Sequence, residues 1–253
     1  MIPLKDDQPT STFPIITILL IVANIVVFVI QQITPGFTEH FSMVPQEVYT
    51  QHSLAGAYLI PSPDGPPSQI VIYPPPNPVW ITIFSAMFLH ASYLHIGGNM
   101  LYLWIFGNNI EDVLGKLKFV FFYLTCGLIA AAAQIFASPL SIIPTLGASG
   151  AIAGVLGAYI LLFPNARVFS IVPIFGFGFF TDVRAFWVLA VWFGLQLVEG
   201  FHGVGAQQHG GVAYFAHIGG FVAGLILISL FGGAKLVDRQ RRKLYRPPNG
   251  RNW

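Results

Sequence analysis

The chain has 253 residues, 55% of them hydrophobic and only 9% charged, with a mean hydropathy of +0.69 and a formal net charge of +2. A soluble domain carries roughly 25% charged residues, so this composition excludes an ordinary water-soluble globule and points to a membrane protein. The single cysteine, Cys126, excludes an internal disulfide and a cysteine metal cluster; lying in an apolar run, it reads as a packing or lipid-facing thiol.

Apolar segments near the ~20 residues needed to cross a bilayer fall at about 13–33, 93–109, 117–137, 146–163, 185–200 and 212–231. The first is longer than a signal-peptide core, and its flank carries Lys5, Asp6 and Asp7, so a retained first span is expected in place of a removable leader. The loop at 34–79 is rich in proline, closed by Pro74-Pro75-Pro76-Asn77-Pro78, and too short and aperiodic for a domain with its own core. Trp80 to Leu89 reads as interfacial. Glu111-Asp112 with Gly115 and Lys116 reads as a polar cytoplasmic turn. The stretch Val168–Phe180 is short, Phe-rich and broken by Pro173, Gly176 and Gly178, which favours an interfacial or re-entrant loop over a span.

Six spans place both termini on one side, and all twelve Lys and Arg then share it. Lys5, Lys116, Lys118, Arg167, Arg184 and the tail cluster Lys235, Arg239, Arg241, Arg242, Lys243, Arg246 and Arg251 all obey this rule. The opposite loops, about 34–79, 138–145 and 201–211, hold no Lys or Arg. By the positive-inside pattern the termini are cytoplasmic. The expected organisation is a cytoplasmic N-terminus over 1–12, a six-helix membrane domain over 13–233 and a basic tail over 234–253, solvated or against anionic lipid.

Polar groups at membrane depth are rare and are functional candidates by default. Here they are Asn24, His90, His95, Asn99, Gln134, Ser149, Gln196, Glu199 and His217. Ser149 lies about four residues into the fourth segment and His217 about five into the sixth, so both sit roughly 6–8 Å below the outer end of their span. Equal depth is what a hydrogen-bonded Ser–His pair requires. His95 and Asn99, four apart, share one helix face. A serine hydroxyl needs a base within reach, and His217 can take its proton and return it to a leaving amine. The developing oxyanion needs donors; the Ser149 amide at a helix N-terminus, the Asn99 carboxamide and His95 can supply them. No carboxylate lies at a depth to orient His217, so a dyad is expected. Small residues complete the pattern: Gly147, Gly150, Gly154, Gly157 and Ala158 in the fourth segment, Gly220 and Gly224 in the sixth, allowing close helix approach. His90, five before His95, reads as structural. A His90/His95/His217 metal site lacks a further ligand, and H-E-x-x-H is absent. Glu199, His202 and His209 are expected at the outer surface.

His90-Ala91-Ser92-Tyr93-Leu94-His95-Ile96-Gly97-Gly98-Asn99, then Glu111 to Gly115, Gly147-Ala148-Ser149-Gly150 and Ala216-His217-Ile218-Gly219-Gly220 with Gly224 resemble the rhomboid family of intramembrane serine proteases, bacterial type, across about 80–233. The resemblance implies an all-α membrane protein, a six-transmembrane-helix bundle with a long outer first loop lying partly in the membrane. It implies Ser149 as nucleophile, His217 as base, and Asn99 and His95 at the oxyanion. Single-pass transmembrane proteins, cut after a small residue, would be the substrates, with membrane lipid as surroundings and no cofactor, metal or nucleic acid. A bacterial cytoplasmic membrane is the expected location, since no transit segment is seen. Two positions depart from the family pattern. Trp80-Ile81 stands where many members have Trp-Arg, and Ala153 replaces an aromatic that packs on the base, leaving Tyr159, Phe215 or nothing to fix the His217 ring. A non-catalytic relative that binds transmembrane helices is the alternative; a transporter is disfavoured by the lack of repeats and of charges at mid-depth.

Overall fold

The computed structural model describes residues 1–62, 65–174, 177–202 and 212–244. Strand β1 (Ile2–Asp6) leads into α1 (Ile15–Ile33); α2 (Phe37–Phe41), α3 (Pro45–Thr50), β2 (Gly56–Ser62) and β3 (Gly65–Ile72) occupy the first loop. Next come α4 (Ile81–Ser85), a 3-10 turn (Ala86–Phe88) and α5 (Tyr93–Tyr102), which runs through a π-helical stretch (Leu103–Gly107) into α6 (Asn108–Leu114). The remainder is α7 (Lys116–Ala137), α8 (Ser149–Leu162), the hairpin β4 (Arg167–Ile174) and β5 (Phe177–Arg184), α9 (Ala185–His202), α10 (Tyr214–Leu230) and α11 (Ala234–Leu244). All six apolar segments are helical. Two of the helices, α1 and α7, are by themselves long and apolar enough to cross a bilayer.

Apolar side chains form the core and cover much of the exterior as well. On α1 the exposed residues include Ile15, Leu19, Val22, Val26, Val29 and Ile33, a stripe at helical spacing. Its buried face carries Thr17, Asn24 and Gln31 beside Phe28. On α9 Phe186, Trp187, Val191, Leu195, Val198 and Phe201 are likewise exposed. Apolar surface outside with polar side chains turned inside is the arrangement that lipid selects. At the centre stands α8, buried from Gly150 to Ala158 and on to Tyr159, as expected of a helix apolar all round. Cys126 of α7 is buried against it.

Four expectations are corrected here. The chain is not purely helical: it carries two antiparallel sheets, β1-β4-β5 and β2-β3. The segment read as an interfacial or re-entrant loop is the β4-β5 hairpin, paired from Arg167↔Arg184 to Ile174↔Phe177, with β1 added through Ile2↔Ile171 to Asp6↔Val168. Its Val, Ile and Phe residues favour an extended chain, but β5 is exposed almost throughout, so no in–out alternation marks it as a strand. Glu111 and Asp112 are not a solvated turn. They are buried on α6, Glu111 accepting from the amides of Ile16 and Thr17 and the Thr17 hydroxyl, which satisfies orphan donors at the start of α1. Asp112 accepts from Ser11, Thr12 and Gln240; burial alone would raise its carboxyl, but these donors more than offset that and hold it low. The basic tail therefore begins as helix α11, docked on α6 through Gln240 with Val237 buried. The tail from 245 on and His209 lie outside the described residues.

Candidate active site

Ser149 is the first residue of α8, so its own amide is among the donors a helix start leaves without an intrahelical partner. The chain reaches it from the outer loop under tight control. Met43 and Thr145 exchange backbone hydrogen bonds of 3.1 and 2.7 Å, and the Gly147 amide donates to the Ala86 carbonyl at 2.8 Å. Gly147 has φ +130°, which glycine adopts without strain, and a Cβ there would press on the His95 ring at 2.9 Å.

His217 is the fourth residue of α10, and α8 and α10 form the most extensive helix pair in the molecule. Their approach depends on missing side chains. A Cβ at Gly220 would collide with the Gly150 carbonyl, one at Gly224 with the Gly154 carbonyl, and one at Gly157 with the Phe221 carbonyl. With backbones this close, the short side chains meet: Ser149 Oγ lies 2.7 Å from His217 Nε2. Gln134 of α7 steadies the start of α10 by accepting from the Ala216 amide at 3.3 Å.

The imidazole has a second partner, and it is the feature that sequence reasoning missed. Gln196 Oε1 of α9 lies 2.6 Å from His217 Nδ1. A carboxamide oxygen only accepts, so Nδ1 carries the hydrogen and Nε2 presents a lone pair to the serine hydroxyl. Trp192, one turn earlier on α9, places its ring 5.8 Å from the imidazole, inclined by 38°. Thus α9 fixes the ring that Ala153 leaves unsupported. Neither of the suggested residues does so: the Tyr159 hydroxyl donates to Asp6 at 2.6 Å, and Phe215 packs on Phe201. The sequence marks Gln196 only as one of several polar groups at depth. The available signal was its i,i+4 spacing from Trp192, which puts both on one face of α9.

The other expected residues converge on the same place. His95, Asn99, Ser149 and His217 line one cleft of about 290 Å³, closed on its apolar sides by Leu94, Ile152, Leu156 and Trp192. Asn99 is buried and donates to His90 Nε2 at 2.9 Å, which leaves the second hydrogen of its amide for the cleft. His90 is itself held by its backbone: Gln31 of α1 accepts from its amide at 3.0 Å and donates to its carbonyl at 3.1 Å. Its structural role is thus to orient Asn99. The His95 amide is capped by the Ser92 hydroxyl at the start of α5. Ser149 also lines a small cavity of about 40 Å³, walled chiefly by Ala and Gly residues with Met43, Ile83 and Met87. Glu199 is exposed on α9, as expected. Among the described residues no three His, Cys, Asp or Glu side chains are grouped to hold a metal ion.

Comparison with known proteins gives a consistent picture. The model of the Rhomboid domain matches residues 77–234. The chain is 30% identical over 171 residues to "Rhomboid protein 1, mitochondrial" of Saccharomyces cerevisiae, covering 64% of this chain and 44% of that one. It is 36% identical over 104 residues to the mouse "Presenilin-associated rhomboid-like protein, mitochondrial", covering 40% and 26%. It is 36% identical over 92 residues to "Rhomboid protease GluP" of Bacillus subtilis, covering 36% and 17%. The chain spans less than half the length of each of these relatives. Two of the three are mitochondrial by name, so the expected bacterial cytoplasmic membrane gains no support from them.

Proposed function

The chain belongs to the rhomboid family, and from that premise we propose that it is an intramembrane serine endopeptidase cleaving the transmembrane segments of single-pass membrane proteins. The observation that carries the reading is the 2.7 Å contact of Ser149 Oγ with His217 Nε2, opening on a cleft walled by apolar side chains. In this mechanism Ser149 Oγ attacks the scissile carbonyl while His217 Nε2 takes its proton. The C–N bond then breaks, His217 protonates the departing amine, and water, activated by the same imidazole, releases the acyl group. The oxyanion is met by the Ser149 amide, the free hydrogen of Asn99 and the His95 ring. The 40 Å³ cavity that Ser149 lines favours a small side chain at the cleaved position. Six spans with the basic loops on the side of the termini, facing a cytoplasm or its equivalent compartment, complete the proposal. Membrane lipid is the surrounding partner.

The test is labelling of the purified chain in detergent with a fluorophosphonate, comparing wild type, Ser149→Ala and His217→Ala. Labelling in wild type alone, with all three proteins folded, supports an activated serine. Folded wild type that does not label moves the reading to a non-catalytic protein that binds transmembrane helices.

A further inference from the structure

We propose that Gln196 is a positioning residue for the base, selecting the imidazole tautomer through which Ser149 is activated. The proposal rests on the reading of Ser149 and His217 as nucleophile and base. A neutral imidazole has two tautomers, and only the one with a bare Nε2 can accept the serine proton. The side chain at Nδ1 is the Gln196 carboxamide, with its oxygen 2.6 Å away. That contact selects the productive tautomer. It also persists when Nε2 is protonated, since the imidazolium still donates from Nδ1 to the same oxygen.

A neutral amide suits this depth. A carboxylate would strengthen the imidazolium, but it would place an ionised group in a half-buried site between α9 and α10. An amide supplies a dipole without a second charge. It also carries a liability, because a rotated carboxamide would present NH₂ to Nδ1 and select the unproductive tautomer with hydrogen on Nε2. Glutamate has no such alternative, since it can only accept while ionised. The bland reading, a hydrogen bond that merely ties α9 to α10, predicts no influence on proton transfer. The two readings therefore differ in the behaviour of substitutions.

The experiment uses the full chain in detergent and measures the second-order rate constant of fluorophosphonate labelling against pH, together with thermal stability. The variants are Gln196→Met, which keeps length and bulk, and Gln196→Glu. Among the described residues the other ionisable groups on this cleft are His95 and Tyr102 of α5. Gln134 of α7, bonded to the Ala216 amide beside His217, is neutral, and Glu199 of α9 is exposed. The comparison is therefore repeated in a His95→Ala background. Gln196→Met is expected to label about 10–100-fold more slowly than wild type, the scale on which loss of an orienting partner acts. Gln196→Glu is expected to recover the alkaline plateau and to move the acidic limb to higher pH, because a carboxylate at Nδ1 favours the imidazolium. That shift should survive in the His95→Ala background. Wild-type labelling by Gln196→Met overturns the proposal, and so does a Gln196→Glu profile with an unmoved limb whose loss of rate only follows a loss of stability. Wild type that does not label at all removes the premise, and the proposal falls with it.

Discussion

Gly220→Ala tests whether the α8–α10 approach sets the geometry of the site. A Cβ at Gly220 would run into the Gly150 carbonyl oxygen, with the Gly150 carbonyl carbon at 3.0 Å and Ala130 Cβ at 3.4 Å. Backbone cannot turn aside as a flexible side chain can, so the helices must part by roughly 1 Å to restore van der Waals contact. Gly150 follows Ser149 directly and Gly220 lies one turn beyond His217, so the displacement falls on the reacting pair. Adding about 1 Å to the 2.7 Å contact carries it past hydrogen-bond reach. Overpacking of this kind costs about 1–3 kcal/mol, and a misplacement near 1 Å costs about 10²-fold in rate. Gly97→Ala is the control: Gly97 is exposed on α5 with nothing within 4 Å of a new Cβ. There the exchange should stabilise by about 0.5–1 kcal/mol, the helix-interior difference between Gly and Ala. The assay is the fluorophosphonate labelling rate with thermal stability in detergent. Wild-type labelling by Gly220→Ala, or an equal loss in Gly97→Ala, would refute the reasoning.

Three further outcomes are expected. Asn99→Ala should slow labelling about 10²–10³-fold, the scale for one lost oxyanion donor, and should also lower the thermal transition because it leaves the buried His90 Nε2 without its donor; a folded, fully active variant would remove Asn99 from the oxyanion role. Glu111→Ala strands the Ile16 and Thr17 amides and the Thr17 hydroxyl at the start of α1. At about 1–3 kcal/mol for each buried group left unpaired, the thermal transition should fall sharply, while labelling at low temperature stays near wild type. Burial raises the Asp6 carboxyl from an ordinary 3.8 to about 6, despite hydrogen bonds from Tyr159 and Asn109. Between those values the folded chain holds a proton that the unfolded chain has released, so stability is full below pH 4 and declines as pH rises through 6. Asp6→Asn should therefore raise the thermal transition at pH 8 and leave it nearly unchanged at pH 4.

What could be read from the sequence was what local pattern encodes. The six apolar segments reported themselves by length, and Ser149, His217, His95 and Asn99 by the cost of polar groups at membrane depth. What could not be read depends on partners far along the chain. Gln196 is 21 residues from His217 and Glu111 is 94 from Thr17, and no periodicity within a segment reveals which faces will meet. Glu111 and Asp112 looked like solvent-facing charge because their donors lie about 100 residues away, at Ser11 to Thr17 around the start of α1 and at Gln240. The β4-β5 hairpin escaped for a different reason. Exposed Phe177, Phe179 and Phe180 remove the polar–apolar alternation that a half-buried strand shows in water.

The site divides its geometry between two helix contacts of different kinds. The distance from Ser149 to His217 is set where α8 and α10 touch backbone to backbone, through Gly150 against Gly220 and Gly154 against Gly224. That contact holds no flexible side chain and so has little freedom to adjust. The orientation of the imidazole is set elsewhere, by Trp192 and Gln196 of α9, whose other face is an exposed apolar stripe. Trp192 also walls the cleft. Distance and orientation are thus held by different helices, the one by α8 against α10 and the other by α9. This division also explains why Ala153 is tolerated on α8, since the ring is braced from the opposite side.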